Sequence, residues 1–292
     1  MEPISLRRLV PEDRPRILEI SSQIWDGHDW VPGAFDEWLA DPAGETVAAE
    51  WAGVLIGFAR RTWLHPSHAW FEGIRTDPAH RGKGAGRAIT EHLIEGARRD
   101  GTEKIHLSTH IDNEASIHII ESYGFERVAS FVYLEGRPVD TPPEEIGPEI
   151  VPVREEEAAW FVDRSAFLEL AQRRFPRGWR FFPFDVDPLS AVARLETRMG
   201  IRRDGALVAL ACARQSVDGT GPVTLNFADG APDDVRRLLG EMHRRYAGRT
   251  IETMVPKQGD QEAALLAILR ELDYETWHNY AAAVFVYELA LR

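Results

Sequence analysis

One pattern occurs twice in this chain, and it sets what the chain can fold into. The run GVLIGFAR at 53–60 returns as GALVALACAR at 205–214, each time a glycine turn leading into an apolar strand. ESYGFERVASFVYLE at 121–135 returns as RELDYETWHNYAAAVFVYEL at 270–289, a helix end, a turn and then a strand. The paired segments lie about 150 residues apart, and each follows an amphipathic helical stretch. Between the copies, EGRPVDTPPEEIGPEIVPV is rich in Pro, Glu and Gly and reads as a linker. A chain of 292 residues exceeds the usual single domain. The expectation is therefore two copies of one α/β unit, over 1–145 and 146–292, with the second copy diverged.

Composition narrows the partners. Hydrophobic residues make up 44% and charged residues 28%, enough for two cores. The net charge of −13 is uneven, −10 over residues 1–145 and −3 over 146–292. Such acidity disfavours nucleic acid and anionic membrane and favours a cationic substrate near the first copy, or serves solubility alone. No apolar run approaches the ~20 residues of a membrane span. MEPISLRRLVPEDRP lacks the apolar core of a signal peptide. The one cysteine, Cys212, lies in an apolar run and reads as a small buried hydrophobe. A cytoplasmic protein without a metal is the expectation.

Within the first copy the order of elements is legible. PRILEISSQIWDG reads as a helix with Ile17, Ile20 and Ile24 on one face, and AFDEWLAD as a second, shorter helix. A hairpin turns near Ala52 and Gly53, and AWFEGIRT is a further strand. GRAITEHLIEGARRDG is a helix with Ile89, Leu93 and Ala97 buried, stopped by Gly101. KIHLSTHI alternates as a strand, and Asn113 is expected to cap the helix that Gly124 ends. His106, Ser108 and His110 share one strand face; with no carboxylate or cysteine at ligand spacing, that face reads as solvated or core rather than metal-binding.

Between the strand ending at Thr76 and the helix after it lies AHRGKGAGRA. Free backbone N–H groups and the helix dipole favour an anion there. Gly82, Gly84 and Gly86 let backbone approach a ligand, and Arg81, Lys83 and Arg87 add formal charge. The stretch reads as a phosphate receptor, most simply for a pyrophosphate. It matches neither the Walker spacing, whose second glycine and Ser/Thr after Lys83 are missing, nor the Rossmann spacing, which needs a third glycine where Arg87 or Ile89 stands.

RTDPAHRGKGAGRAI resembles the acetyl-CoA loop of the GNAT N-acetyltransferases, with Arg81, Gly84 and Gly86 in the family pattern. NEASIHIIESYGFE resembles that family's later motif, an Asn-led helix closing in Gly-Phe. The resemblance covers residues 4–135 with both motifs and residues 150–292 in core pattern only. It implies two tandem GNAT-like domains, each a mixed, mainly antiparallel sheet flanked by helices. It further implies acetyl-CoA as cosubstrate: Ala85 and the loop residues around the pyrophosphate, the strand end at Ile74, Arg75 and Thr76 along the pantetheine, and Asn113 nearby. The reaction it implies is acetyl transfer to a primary amine of a small molecule.

Glu72, a lone carboxylate in a hydrophobic strand where the family often places its base, is the candidate general base. An edge or solvated role is the alternative. The family's acid, a Tyr seven residues after the Asn, is here Ile120; Tyr123, one turn on, is the substitute candidate or a packing residue. Asp29 and Trp30, in IWDGHDWVPGAFDEW, are candidates for holding the acceptor. This region is also weakly similar to the histidine N-acetyltransferase-like branch. The second copy carries GAPDDV at the equivalent loop, with Asp233, Asp234 and Val235 in place of basic residues and glycine, so it is expected not to bind CoA. Two rival readings remain, a non-catalytic acyl-CoA sensor and a nucleotide-phosphate binder outside the family.

Overall fold

The computed structural model describes residues 3–138, 150–193, 195–216 and 221–291. The centre of the Pro/Glu-rich linker and the junction expected at 145/146 lie outside them. Two compact units emerge. The first comprises Met1–Thr109, Asn113–Glu126 and Tyr287–Arg292; the second comprises His110–Asp112 and Arg127–Val286.

The first unit runs β1 (Ser5–Arg7), α1 (Arg14–Ser21), α2 (Val31–Ala40), β2 (Glu45–Trp51), β3 (Val54–His65), β4 (His68–Thr76), α3 (Ala85–Arg99), β5 (Lys104–His110) and α4 (Glu114–Ser122). Strands β1 to β4 are successive antiparallel neighbours, and β5 lies parallel to β4. The β2–β3 hairpin closes in two residues, Ala52 and Gly53, both at positive φ, the turn that matches strand twist. Helices α1 and α2 bury Ile17, Ile20, Val31, Phe35 and Trp38 with Phe58 of β3. Helix α3 buries Ile89, Leu93 and Ala97, the expected stripe, and ends at Gly101 with φ +75°. Helix α1 stops at Ser21, short of Ile24, because Trp25 and Asp26 turn to positive φ. Asn113 stands at the α4 N-cap position but its side chain does not cap: Nδ2 donates to Thr109 Oγ1 at 3.2 Å.

The chain continues through β6 (Glu126–Gly136), β7 (Ile150–Pro152), α5 (Glu155–Asp163), α6 (Ala166–Leu170), β8 (Arg174–Arg177), β9 (Arg180–Pro183) and α7 (Pro188–Val192). Then come β10 (Thr197–Arg203), β11 (Ala206–Gln215), β12 (Val223–Gly230), α8 (Pro232–Arg245), β13 (Ile251–Gln258), β14 (Gln261–Glu262), α9 (Ala264–Glu271), β15 (Glu275–Thr276) and β16 (Val284–Ala290). Strand order in the second unit is β7-β10-β11-β12-β13-β6, with β15 also on β6 and β8–β9 a separate hairpin.

The repeat is visible in detail. Asp204 and Gly205, again both at positive φ, close the β10–β11 hairpin as Ala52 and Gly53 close β2–β3. Strands β12 and β13 pair in parallel over three residues, as β4 and β5 do. Helix α4 ends with Gly124 in the left-handed region and Phe125 N–H donating to Ile120 O. Helix α9 ends in the same way, with Asp273 left-handed and Tyr274 N–H donating to Leu269 O.

The units nevertheless do not coincide with the two copies. Strand β6, which follows the first copy's last helix, pairs over Phe131–Gly136 with β13 of the second unit. The chain end, which follows the second copy, belongs to the first unit. There Tyr287 Oη donates to Glu121 at 3.0 Å, Lys104 Nζ to Glu288 at 2.6 Å, and Leu291 N–H to Glu103 O at 2.7 Å. The copies have exchanged their final strands.

Candidate functional site

The site is built where β4 leaves β5. The ladder between them covers His68–Trp70 against Lys104–His106, the start of each strand. On its other side β4 carries a bulge: register passes from Arg60↔Glu72 to Phe58↔Arg75, leaving Gly73 and Ile74 against one residue of β3. Gly73 takes φ +62°, and a Cβ there would meet Trp38 Cη2 at 2.2 Å, so only glycine fits. A bulge bends its strand and re-aims the residues around it, here the three expected to line the pantetheine arm, Ile74, Arg75 and Thr76.

Beyond Thr76, Asp77 anchors the loop. Its buried carboxylate accepts from Ala79 N–H at 2.8 Å, lies 2.7 Å from His80 Nδ1, and is ion-paired with Arg16. Burial pushes this carboxyl upward, but these hydrogen bonds outweigh it and hold it below the usual carboxylate range. The exposed segment Arg81–Gly84 follows. Gly82 and Gly84 take φ +76° and +94° with no atom near a would-be Cβ, so the space above them is open. The first amides of the 15-residue helix α3, from Ala85, Gly86 and Arg87, have no intrahelical acceptor. Gly86 faces Ile119 and Thr76, and Gly57 lets α3 approach β3, since a Cβ there would lie 3.2 Å from Ile89 Cδ1 and 3.4 Å from Ala85 Cβ. The cations differ: Arg81 is exposed, Arg87 donates to Ser122 Oγ at 3.1 Å, and Lys83 lies over the Trp51 ring at 4.4 Å. An anion with several oxygens fits this cradle of open glycines, helix amides and two arginines.

The other candidates fall as follows. Glu72 is buried, and Arg60 Nη1 donates to its Oε1 at 3.2 Å; Arg60 also pairs with Asp41. Tyr123 Oη donates to Arg87 O at 3.3 Å, beside the loop rather than in the core. Burial, then Glu91, raises its phenol above the ordinary value. Ile120 is buried. Asp29 is tied to Arg75, with Nη2–Oδ1 at 2.8 Å and Nε–Oδ2 at 3.1 Å, and Arg75 stacks on Trp25 at 4.5 Å. That carboxylate is thus engaged by a protein cation, whereas Trp30 is exposed, edge-on to Trp38.

His106 is fully buried on His68, Nε2 to Nδ1 2.8 Å, with Glu288 3.5 Å from its Nδ1. The expected lack of a carboxylate beside these histidines is corrected at both, by Glu288 for His106 and by Asp112 for His110. Its Nε2 lies 3.3 Å from His278 Nε2, and Asp112 Oδ2 is 3.5 Å from His278 and 3.6 Å from His110. His278 is remote in sequence, so spacing gave no sign of it. Cys212 is buried, which pushes its thiol up to about 12, far from a nucleophile. The Gly73 bulge carried one signal, a glycine inside an otherwise apolar strand.

In the second unit, β12 ends at Gly230 and α8 begins at Pro232. Asp234 is buried and held by Arg203 at 2.6 and 2.8 Å, and Asp233 pairs with Arg236 at 2.9 Å. The amides of Asp234 and Val235 both donate to Ala231 O.

A sequence profile of the Acetyltransferase (GNAT) family matches residues 14–125. The N-alpha-acetyltransferase RimI of Mycobacterium tuberculosis is 34% identical over 131 residues, 44% of this chain and 81% of that protein. The uncharacterized protein ML0378 of Mycobacterium leprae is 37% identical over 131 residues, 44% of this chain but only 36% of its own length. In structure, a GCN5-related N-acetyltransferase from Sphaerobacter thermophilus superposes with TM-score 0.68 at 16% identity, covering 100% of this chain and 98% of that one. A tandem GNAT protein from the clavulanic acid biosynthesis pathway gives TM-score 0.60 at 14% identity, covering 99% and 98%. These two likenesses establish the fold, in its tandem form. Among the described residues no helix is long and apolar enough to cross a membrane.

Proposed function

The chain belongs to the GNAT acetyltransferase family, and on that premise we propose that its first unit moves an acetyl group from acetyl-CoA to a primary amine of a small molecule by direct attack. The observation that carries this reading is the open, arginine-flanked N-terminus of α3 directly after the bulged strand β4. The amides of Ala85, Gly86 and Arg87, with Arg81 and Arg87, would hold the pyrophosphate, and the Ile74–Thr76 backbone the pantetheine arm. Acetyl-CoA supplies an acyl thioester, an electrophile that needs a neutral nitrogen to attack it.

An alkylamine with pKa ~10.4 is almost wholly protonated at neutral pH, so a proton must leave it first. Glu72, buried on β4 beside the bulge, is the group assigned that role, directly or through water. When the C–S bond breaks, the thiolate (free thiol pKa ~8.5) takes a proton from water or from Tyr123. Of the acceptor candidates Trp30 is open to a ligand, while Asp29 acts through Arg75. The second unit takes no part in holding CoA.

One observation favours a second reading. Glu72 is engaged by Arg60, and the position of the usual acid is a buried Ile120, as suits an acyl-CoA sensor without turnover. Thiol release from acetyl-CoA across a panel of small amines separates the two. Transfer predicts release with at least one amine and a slower Glu72→Gln variant of unchanged CoA affinity, whose rate keeps climbing with pH toward the amine's own pKa. A sensor binds CoA and releases none.

A further inference from the structure

Three glutamates stand side by side in the second unit. Glu135 of β6 is the direct cross-strand partner of Glu252 on β13 and, on its other side, of Glu275 on β15. Such neighbours share one face of a sheet, and like charges directly opposite are destabilising. Glu275 is relieved by Arg137. Among the described residues no cation lies within ion-pair distance of Glu135 or Glu252. Thr224 Oγ1 donates to Glu252 at 2.7 Å, and Tyr133 Oη, with one proton to give, reaches Glu135 closely and lies 3.2 Å from Glu252.

On the same face, two residues from Glu135 along β6, the Tyr133 ring lies 4.1 Å from Trp277, centroid to centroid. Trp179, from the turn between β8 and β9, stands 6.1 Å from each of those rings, roughly parallel to both. Trp277 is 52% exposed and Trp179 37%, an unusual outlay of indole surface to water. Burial and then the adjoining carboxylates push the Tyr133 phenol well above its ordinary value, so it stays neutral and keeps the proton it donates to Glu135.

Aromatic faces attract cations through their quadrupole, and two unneutralised carboxylates beside them supply acceptors for N–H groups. We infer that Tyr133, Trp179 and Trp277 with Glu135 and Glu252 form a binding site for an organic ammonium, a primary alkylamine in its protonated form. The ammonium N–H groups point to the two carboxylates and the adjoining methylenes lie on the indoles. The site stands on these contacts alone and does not rest on the transferase reading. Its ligand is either the acceptor amine of that reaction or a separate cation.

The test is calorimetric titration of the full chain with 1,4-diaminobutane at physiological salt, with 1,4-butanediol as the neutral counterpart. The diamine is expected to bind saturably and the diol not at all. Trp277→Ala, at an exposed position, should weaken the diamine about tenfold, and Glu135→Gln, which keeps the Tyr133 hydrogen bond, several-fold. Trp160→Ala, an exposed indole elsewhere in the unit, should leave it unchanged, and thermal melts of all variants confirm folding. Thiol release from acetyl-CoA on adding the diamine assigns the site to the acceptor; binding without release assigns it to a separate cation. Non-saturating titration, or equal affinity in the parent, Trp277→Ala and Glu135→Gln, overturns the inference.

Discussion

Helices α3 and α8 stand at equivalent points of the two units, each following the strand whose neighbour runs parallel to it. Before α3 the chain spends four exposed residues, two of them left-handed glycines under open space, and the helix begins with three donor-bearing residues. Before α8 it spends one, Ala231, and the helix begins with a proline that has no N–H. The Asp234 and Val235 amides of α8 turn back on Ala231 O, and Gly230 is pressed against Ala209, where a Cβ would come within 2.5 Å of the alanine's own. The fold thus supplies a helix dipole in both places, but only one is left accessible to an anion. The acidic residues of the second loop contribute less by repulsion than charge counting suggests, because Arg203 and Arg236 engage them. Missing donors and missing space do more.

That contrast can be broken at several strengths. The largest effect should come from the exchanged strands rather than the loops. Deleting residues 287–292 removes buried Tyr287 and the Glu288 partner of Lys104, and should cost the first unit about 3–5 kcal/mol, the scale for losing a large buried side chain. Thermal unfolding reads this as a large fall in Tm. A 1–145 fragment carries the same defect and leaves β6 without β13, so it should aggregate rather than retain CoA affinity.

Next come the paired glycines. Gly84→Val forces a β-branched residue to φ +94°, a strain of about 1–3 kcal/mol, and should lower CoA affinity at least tenfold. The obstacle is conformation, since the space is open. Gly230→Val should instead lower Tm with CoA affinity unchanged.

Charge variants should range from the same size downward. Arg81→Ala should weaken CoA by about 1–3 kcal/mol, the range for charge-assisted hydrogen bonds, whereas Lys83→Ala, whose ammonium rests on Trp51, should cost under about 1 kcal/mol. The smallest effect is on pH. The folded-state pKa of Asp77 is depressed, so its stabilisation is present above the unfolded carboxyl value (~3.9) and lost as pH falls through the folded one. Asp77→Asn should flatten the acid limb of a stability profile and leave the neutral region little changed apart from a constant loss.

Much of this was legible in the chain. The two-residue turns at Ala52-Gly53 and Asp204-Gly205, the helix ends at Gly124 and Asp273, and the glycine-arginine loop are local, and local steric preference writes them into composition. What escaped was non-local. Nothing near Asp29 announces Arg75, nothing near His110 announces His278, and no run of sequence contains Glu135, Glu252 and Glu275 together. Strand exchange is the extreme case: β6 and β16 carry near-identical runs, FVYLE at 131–135 and FVYEL at 285–289, so the choice of sheet leaves no trace in the pattern.

The central claim is that one helix N-terminus of the two receives the cosubstrate. Calorimetric titration of the full chain with CoA tests it most directly, in the parent, Gly84→Val and Asp234→Ala forms. One CoA per chain is expected, with affinity at least tenfold lower in Gly84→Val and stoichiometry still one in Asp234→Ala. Two sites per chain, or affinity unchanged in Gly84→Val and lost in Asp234→Ala, would contradict that claim.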